Sequence, residues 1–250
     1  MLKAILHGKA GRIEHNKDES VSWSSLFKAR EDLLTSTVFE RFAYLSDAVQ
    51  IHLVHHWFSA CSGIALAELG EFESISYWPR FEHQHEQGSN QVEPDLILKF
   101  SHCNILVEVK PPEGGDQYFE QWHKEIESFL QADVEAEKPL YFLAIGRIEK
   151  RQAKVWADKL LPKFEPLKGM AAIEWREVAE LIMDLVYEDH LAEKSHLNKQ
   201  ERRVLDDILA GLSLYGLQVS PFKWSQFKPD MFPRLSLHHP LLQPVSKESK

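Results

Sequence analysis

Two carboxylates and a lysine stand at the ends of two neighbouring apolar runs. Glu93-Pro94-Asp95-Leu96-Ile97-Leu98-Lys99-Phe100 is followed, after Ser101-His102-Cys103, by Asn104-Ile105-Leu106-Val107-Glu108-Val109-Lys110. Both runs have strand length, and charge on a half-buried strand is costly unless something repays it. Two carboxylates brought within a few ångströms repel unless a cation lies between them. A hard divalent ion such as Mg²⁺ suits that place. A lysine beside it could position or deprotonate an attacking water, or stabilise charge developing on a phosphate. The plainer alternative is a solvent-facing ion pair between Asp95 and Lys110 across two strands.

The chemistry depends on register. A turn over residues 101–104 pairs Phe100 with Ile105, which sets Ile97 opposite Glu108 and Asp95 opposite Lys110. Asp95, Glu108 and Lys110 then share one face, while Leu96, Leu98, Val107 and Val109 point to the other, into a core. A slip of one residue would send the charges to the wrong face.

Pro94-Asp95 followed by Glu108-Val109-Lys110 resembles the signature of the PD-(D/E)XK nuclease superfamily, with the second carboxylate thirteen positions after the first. Beyond the loop Pro111-Pro112-Glu113-Gly114-Gly115, residues 116–130 read as an amphipathic helix. Phe119, Trp122, Ile126, Phe129 and Leu130 recur at three and four, and Asp116 is placed to cap the start. The resemblance implies a glutamine on this helix, Gln121 or, one turn earlier, Gln117. It implies Asp95, Glu108 and the Val109 carbonyl as ligands of Mg²⁺, with Mn²⁺ able to substitute. Lys110 would orient or activate the water, with Gln121 assisting. It also implies an acid on the helix before the strands. Within the helical stretch 29–45, Glu31 is preferred over Glu40 and Asp32, since Thr37-x-x-Glu40 also fits a capping box.

The surrounding elements agree in order. Tyr77–His83 is a candidate first core strand, Tyr141–Gly146 an apolar strand, and Ala171–Trp175 a short strand leading into a helix over Arg176–Tyr187. Together these give the expected fold: α/β, a restriction-endonuclease-like core with a mixed central sheet flanked by helices, and a helical C-terminal extension. The expected organisation is an N-terminal extension over 1–28, the nuclease-like domain over 29–190, and an extension over 191–250 packed on the core. In that extension Val204–Leu217 reads as a core-docking helix. Lys223, Trp224, Phe227, Lys228 and Arg234 interleave base and aromatic, either to track a nucleic-acid strand or, more plainly, to pack a tail on the domain.

Composition bounds the rest. The 250 residues can bury a sizeable core. No apolar run approaches a membrane span, the N-terminus does not read as a signal peptide, and Cys61 and Cys103 lack metal-type spacing, which fits a reducing cytoplasm. A net charge of -9 argues against a free-standing duplex binder. His52 and His56 share a helical face, but Leu53 stands where a zinc protease has glutamate, so His52, His55 and His56 read as partly buried core residues. His83-Gln84-His85-Glu86 reads as a polar loop. Neither a phosphate-cradling glycine loop nor a serine-hydrolase elbow is present.

The expectation is thus a metal-dependent nuclease acting on DNA, assisted by a protein partner or by self-association, as in a defence or mobile-element system. A catalytically silent subunit of the same fold, working as a protein-interaction module, is the alternative.

Overall fold

The computed structural model describes residues 2–16, 19–28, 30–85, 88–132, 138–189 and 197–220. The chain divides into a unit spanning Met1–Val219, which holds every helix and strand named below, and a second, Ser220–Lys250. Lys223, Trp224, Phe227, Lys228 and Arg234 lie outside the described residues. Elements run in the order α1 (Leu2–Leu6), β1 (Arg12–Asn16), β2 (Glu19–Ser22), α2 (Trp23–Lys28), α3 (Glu31–Phe42) and α4 (Asp47–His55, continued by a π turn over His56–Ala60). Then come β3 (Phe72–Tyr77), β4 (Phe81–His85), β5 (Gly88–Val92), β6 (Leu96–Phe100), β7 (Asn104–Val109) and α5 (Phe119–Ala132). The order closes with β8 (Leu140–Ile145), α6 (Lys150–Leu160), β9 (Leu167–Ile173), α7 (Trp175–Asp189) and α8 (Lys199–Ser213).

Five strands form a mixed central sheet in the order β3-β6-β7-β8-β9. The first two neighbour pairs are antiparallel, and the β7–β8 and β8–β9 pairs are parallel. Helices cover both faces, so β7 and β8 read as near-continuous apolar runs rather than alternating ones. Leu96, Leu98, Val107, Val109, Leu143 and Ile145 face the cluster containing α3, α4, α7 and α8. Ile97, Leu106, Phe142 and Ala144 face α5 and α6. The α5 stripe Trp122, Ile126 and Phe129 is fully buried there, with the Trp122 ring centred 4.9 Å from that of Phe142 and 4.9 Å from that of Trp156. Each such side chain contributes about 1.5–3 kcal/mol by leaving water. The α8 helix opens on a capping box between Asn198 and Glu201, so it begins earlier than Val204, and it docks on α3 with Gly211 over Thr37.

The hairpin register differs from expectation by two residues. Lys99 pairs with Asn104 and Ile97 with Leu106, and one step further along the same ladder Asp95 stands level with Glu108, not Lys110. The turn is tighter than a loop over 101–104. Phe100 N–H donates to the Cys103 carbonyl, and the Ser101 and His102 amides are drawn to the Glu71 and Leu69 carbonyls. A shift of two conserves parity, so every side chain keeps its expected face.

Local signals misplaced four other features. The strand expected over Tyr77–His83 breaks at Trp78, which adopts φ 46° before Pro79, and Phe81–His85 pairs with Gly88–Val92 in a separate hairpin. His83 therefore lies on a strand, not in a loop. Asp116 does not cap α5, which starts at Phe119; its carboxylate holds Arg147 instead. Thr37 is buried in mid-helix, so Thr37 and Glu40 form no capping box. His55 and His56 are partly buried, as expected, but His52 is exposed, because the core stripe there is Val49, Leu53, Val54, Trp57 and Phe58.

Gly146 ends β8 at φ +83°, and a Cβ there would lie 2.4 Å from the Lys110 carbonyl and 3.1 Å from the Trp175 ring. Both the backbone sign and the space exclude a side chain. We expect Gly146→Ala to lower unfolding free energy by about 2–4 kcal/mol in denaturant titration, from strain plus displacement of the Lys110 strand end.

Candidate functional site

Asp95, Glu108 and Lys110 meet where β7 ends beside β8, at the carboxyl end of the parallel strands, the side on which open α/β sheets bind ligands. Asp95 sits just before β6. Its Oδ2 accepts a hydrogen bond from the Val109 amide at 2.7 Å, and its backbone carbonyl accepts one from the Trp78 amide at 2.9 Å. The left-handed backbone at Trp78 thus serves to hold Asp95. Glu108, on β7, is 1% exposed, and its Oε1 accepts from Lys110 Nζ and from Gln121 Nε2, the latter at 2.6 Å. Lys110, 8% exposed, also donates to the Val109 carbonyl at 3.2 Å and lies 3.6 Å from Glu31 Oε1. Its own carbonyl is fixed by the Trp175 indole at 2.8 Å.

Of the acids on α3, Glu31 reaches Lys110, and its carboxylate, that of Asp32 and that of Asp95 bring oxygens within 4.8 Å of one another. Glu108 stands outside that close set, engaged by Lys110 and Gln121. Glu40 is elsewhere, near Arg41, Tyr44 and Arg203. The two glutamines separate by role. Gln117 is buried and structural: its amide donates to the Gly146 carbonyl at 3.2 Å and, more weakly, to the Glu108 carbonyl at 3.4 Å, and it accepts from Trp122 Nε1 at 2.8 Å. Gln121 points its amide at two carboxylates, Glu108 and Glu125.

Glu125 joins the site from outside the expected set. It is 1% exposed, and its carboxyl lies within hydrogen-bonding reach of that of Glu108. A signal for it exists in the sequence: with Trp122, Ile126 and Phe129 it occupies the apolar stripe of α5, where an acid has no place on packing grounds.

The electrostatics are those of crowded, buried acids. Burial first, then the Glu108 charge, pushes Asp95 up to about 8, against the pull of the Val109 amide and Lys110. Burial pushes Glu125 up to about 8 despite its bond from Gln121. Glu108 lies well above the carboxylate range, through burial and then the Glu125 charge. Burial alone would lower Lys110, but the charge and hydrogen bond of Glu108, with Glu31 and Asp95 behind them, outweigh it and hold the ammonium above its usual value. An ammonium seated among Glu108, Glu31 and a main-chain carbonyl occupies an all-oxygen nest. Beside it, the carboxylate oxygens of Glu31, Asp32 and Asp95 form an all-oxygen set that fits Mg²⁺ or Mn²⁺ and not the softer metals that prefer thiolate or imidazole.

Around the site run two hollows sharing the 111–116 loop. One, of about 400 Å³, is lined by Arg30, Glu31, Asp32 and Gly114-Gly115. The other, of about 880 Å³, is lined by Asp116, Tyr118, Arg147, Lys150 and Trp156 among others. Arg147 adopts φ 61°. A left-handed non-glycine residue costs about 1–2 kcal/mol. The guanidinium forms an exposed ion pair with Asp116, a kind of contact that returns about 0.2–1 kcal/mol, and donates from Nε to the Gly115 carbonyl at 2.9 Å.

Among the described residues no helix is long and apolar enough to cross a membrane. No family model matches the sequence. The chain is similar to the uncharacterized protein PM0110 of Pasteurella multocida (strain Pm70), 25% identical over 239 residues that cover 90% of this chain and 83% of that protein.

Proposed function

We propose that this chain is a metal-dependent nuclease of restriction-endonuclease-like type, hydrolysing phosphodiester bonds of DNA. One observation carries the reading: Asp95, Glu108 and Lys110, separated in sequence, meet at one strand end with the Lys110 ammonium held in an oxygen nest. In this reading Asp95, Glu108 and the Val109 carbonyl hold a Mg²⁺ or Mn²⁺ ion, with Glu31 at the rim. The ion supplies Lewis-acid stabilisation of phosphate charge and acidifies water. Lys110 remains an ammonium, because its surroundings raise its affinity for the proton. It therefore acts as a donor, orienting water and offsetting charge on the phosphate oxygens, not as a base. Gln121 keeps the Glu108 carboxylate aimed, and the Val109 amide does the same for Asp95.

The net charge of -9 favours a setting in which a partner or a second copy brings the DNA. A defence or mobile-element assembly is one such setting, by analogy of fold. The test is incubation of purified protein with supercoiled plasmid and with labelled single strands, with Mg²⁺, with Mn²⁺ and with chelator. Ion-dependent cleavage is expected. No cleavage, together with no shift in melting temperature on adding either ion, would sink the proposal and leave the silent, protein-binding subunit as the better reading.

A further inference from the structure

The geometry points to the groove lined by Tyr118, Arg147 and Trp156 as a subsite for single-stranded nucleic acid, in which Tyr118 stacks a base and Arg147 holds a neighbouring phosphate. The inference rests on the nuclease reading and adds a substrate class to it. Four observations carry it. The groove and the hollow holding Glu31 and Asp32 lie on the two sides of one loop, with Pro112 and Asp116 lining the first and Pro111 and Glu113 to Gly115 the second. Its volume of about 880 Å³ falls within the range of ligand clefts, about 300–1,000 Å³. Tyr118 is 60% exposed on its wall, an aromatic face turned outward immediately before a helix whose other aromatics are buried or half-buried.

The fourth observation is Arg147, which adopts a left-handed backbone at the groove wall with its guanidinium against Asp116 and the Gly115 carbonyl. Those contacts use Nε and Nη2, and a guanidinium has five N–H donors, so several stay directed at other acceptors. Three acids line the groove, Asp116, Glu149 and Glu174, of which Asp116 is paired with Arg147 and Glu174 accepts from the Ile148 amide. The charge balance selects the kind of strand. A net charge of -9 weighs against the many phosphate contacts that a duplex footprint requires. Stacking on an aromatic needs an unpaired base and little charge, so one tyrosine and one arginine serve a single strand and not a double helix.

The experiment measures fluorescence anisotropy of labelled single-stranded DNA, single-stranded RNA and the matching duplex, titrated with Lys110→Ala protein in Mg²⁺ so that no strand is cut. Single strands are expected to bind at least about tenfold tighter than duplex. In that background Tyr118→Ala weakens single-strand binding about tenfold with an unchanged salt slope, and Tyr118→Trp retains affinity. Arg147→Gly, which relaxes the backbone and should melt no lower than its parent, weakens binding and reduces the salt slope by about 0.7. The DNA and RNA arms decide which sugar the groove accepts. Unchanged binding by Tyr118→Ala and Arg147→Gly, or duplex binding as tight as single strand, overturns the subsite and leaves the nuclease reading standing. Absence of any nucleic-acid binding, joined to absence of plasmid cleavage by the unmodified protein, overturns both.

Discussion

On the proposed nuclease reading, Lys110→Met is expected to lower the single-turnover rate of ion-dependent strand cleavage about 10²–10⁴-fold, the range seen when a donor aimed at transition-state charge or a proton-transfer group is lost. Methionine keeps the length and apolar stem of the lysine, and loss of the ammonium removes a pull that lowers Glu108, shifting its already raised carboxyl further toward the neutral form that burial favours. The variant should therefore fold, and should still shift its melting temperature when Mg²⁺ is added. This combination separates a chemical role from a structural one. Cleavage at the parent's rate by the variant would mean that Lys110 is only the cross-strand ion pair that its type and spacing also allowed.

The second large effect is on stability, and its sign follows from burial. An aspartate raised from an ordinary value near 3.8 to about 8 binds more protons in the folded than in the unfolded chain between those limits. Its contribution is thus fully present below about pH 4 and is lost as pH rises through 8. Glu125 follows the same rule. Unfolding free energy of the ion-free protein should therefore decline between pH 5 and 8, at up to about 1.4 kcal/mol per pH unit for each group. Asp95→Asn keeps an oxygen to accept from the Val109 amide and removes the charge. We expect it to be about as stable as the parent at pH 5 and more stable by about 2 kcal/mol at pH 8, a rise of roughly 5 °C in melting temperature. Mg²⁺ should stabilise the parent most at pH 8, where the carboxylates are ionised, and should leave Asp95→Asn nearly unmoved. A variant less stable than the parent at pH 8, or an equal response to Mg²⁺, would refute the account of the site as crowded acids awaiting a cation.

Much of the arrangement is legible in the chain. The apolar runs 96–100, 104–109 and 140–145 read as strands because helices cover both their faces, and burial on two sides writes itself as continuous hydrophobicity. The α5 stripe is plain in the spacing of Phe119, Trp122, Ile126 and Phe129, and Glu31, preferred among three acids on an N-terminal helix, is the one that reaches Lys110. Element edges are less legible. Asp116 looks like a helix cap, yet α5 starts three residues later, at Phe119, and the Asp116 carboxylate meets Arg147, 31 positions away. Trp78 ends a strand through a backbone angle that its residue type does not advertise.

The register of the hairpin shows where local reasoning stops. Parity of side chains follows from the alternation of apolar and charged residues, so the order of residues alone dictates that Asp95 and Glu108 share a face, with the core opposite. The number of residues in the turn does not follow from it. That was decided by the 69–71 segment, whose carbonyls draw in Ser101 and His102, and so by chain thirty positions away. The same division holds at the site. Sequence supplied the two carboxylates, the lysine and the glutamine, because charge inside apolar runs is visible wherever it occurs. Packing of distant elements was needed to bring Glu31 to Lys110, to set Glu125 behind Gln121 and to place Arg147 over the groove. Those meetings depend on how layers stack against one another rather than on any local periodicity.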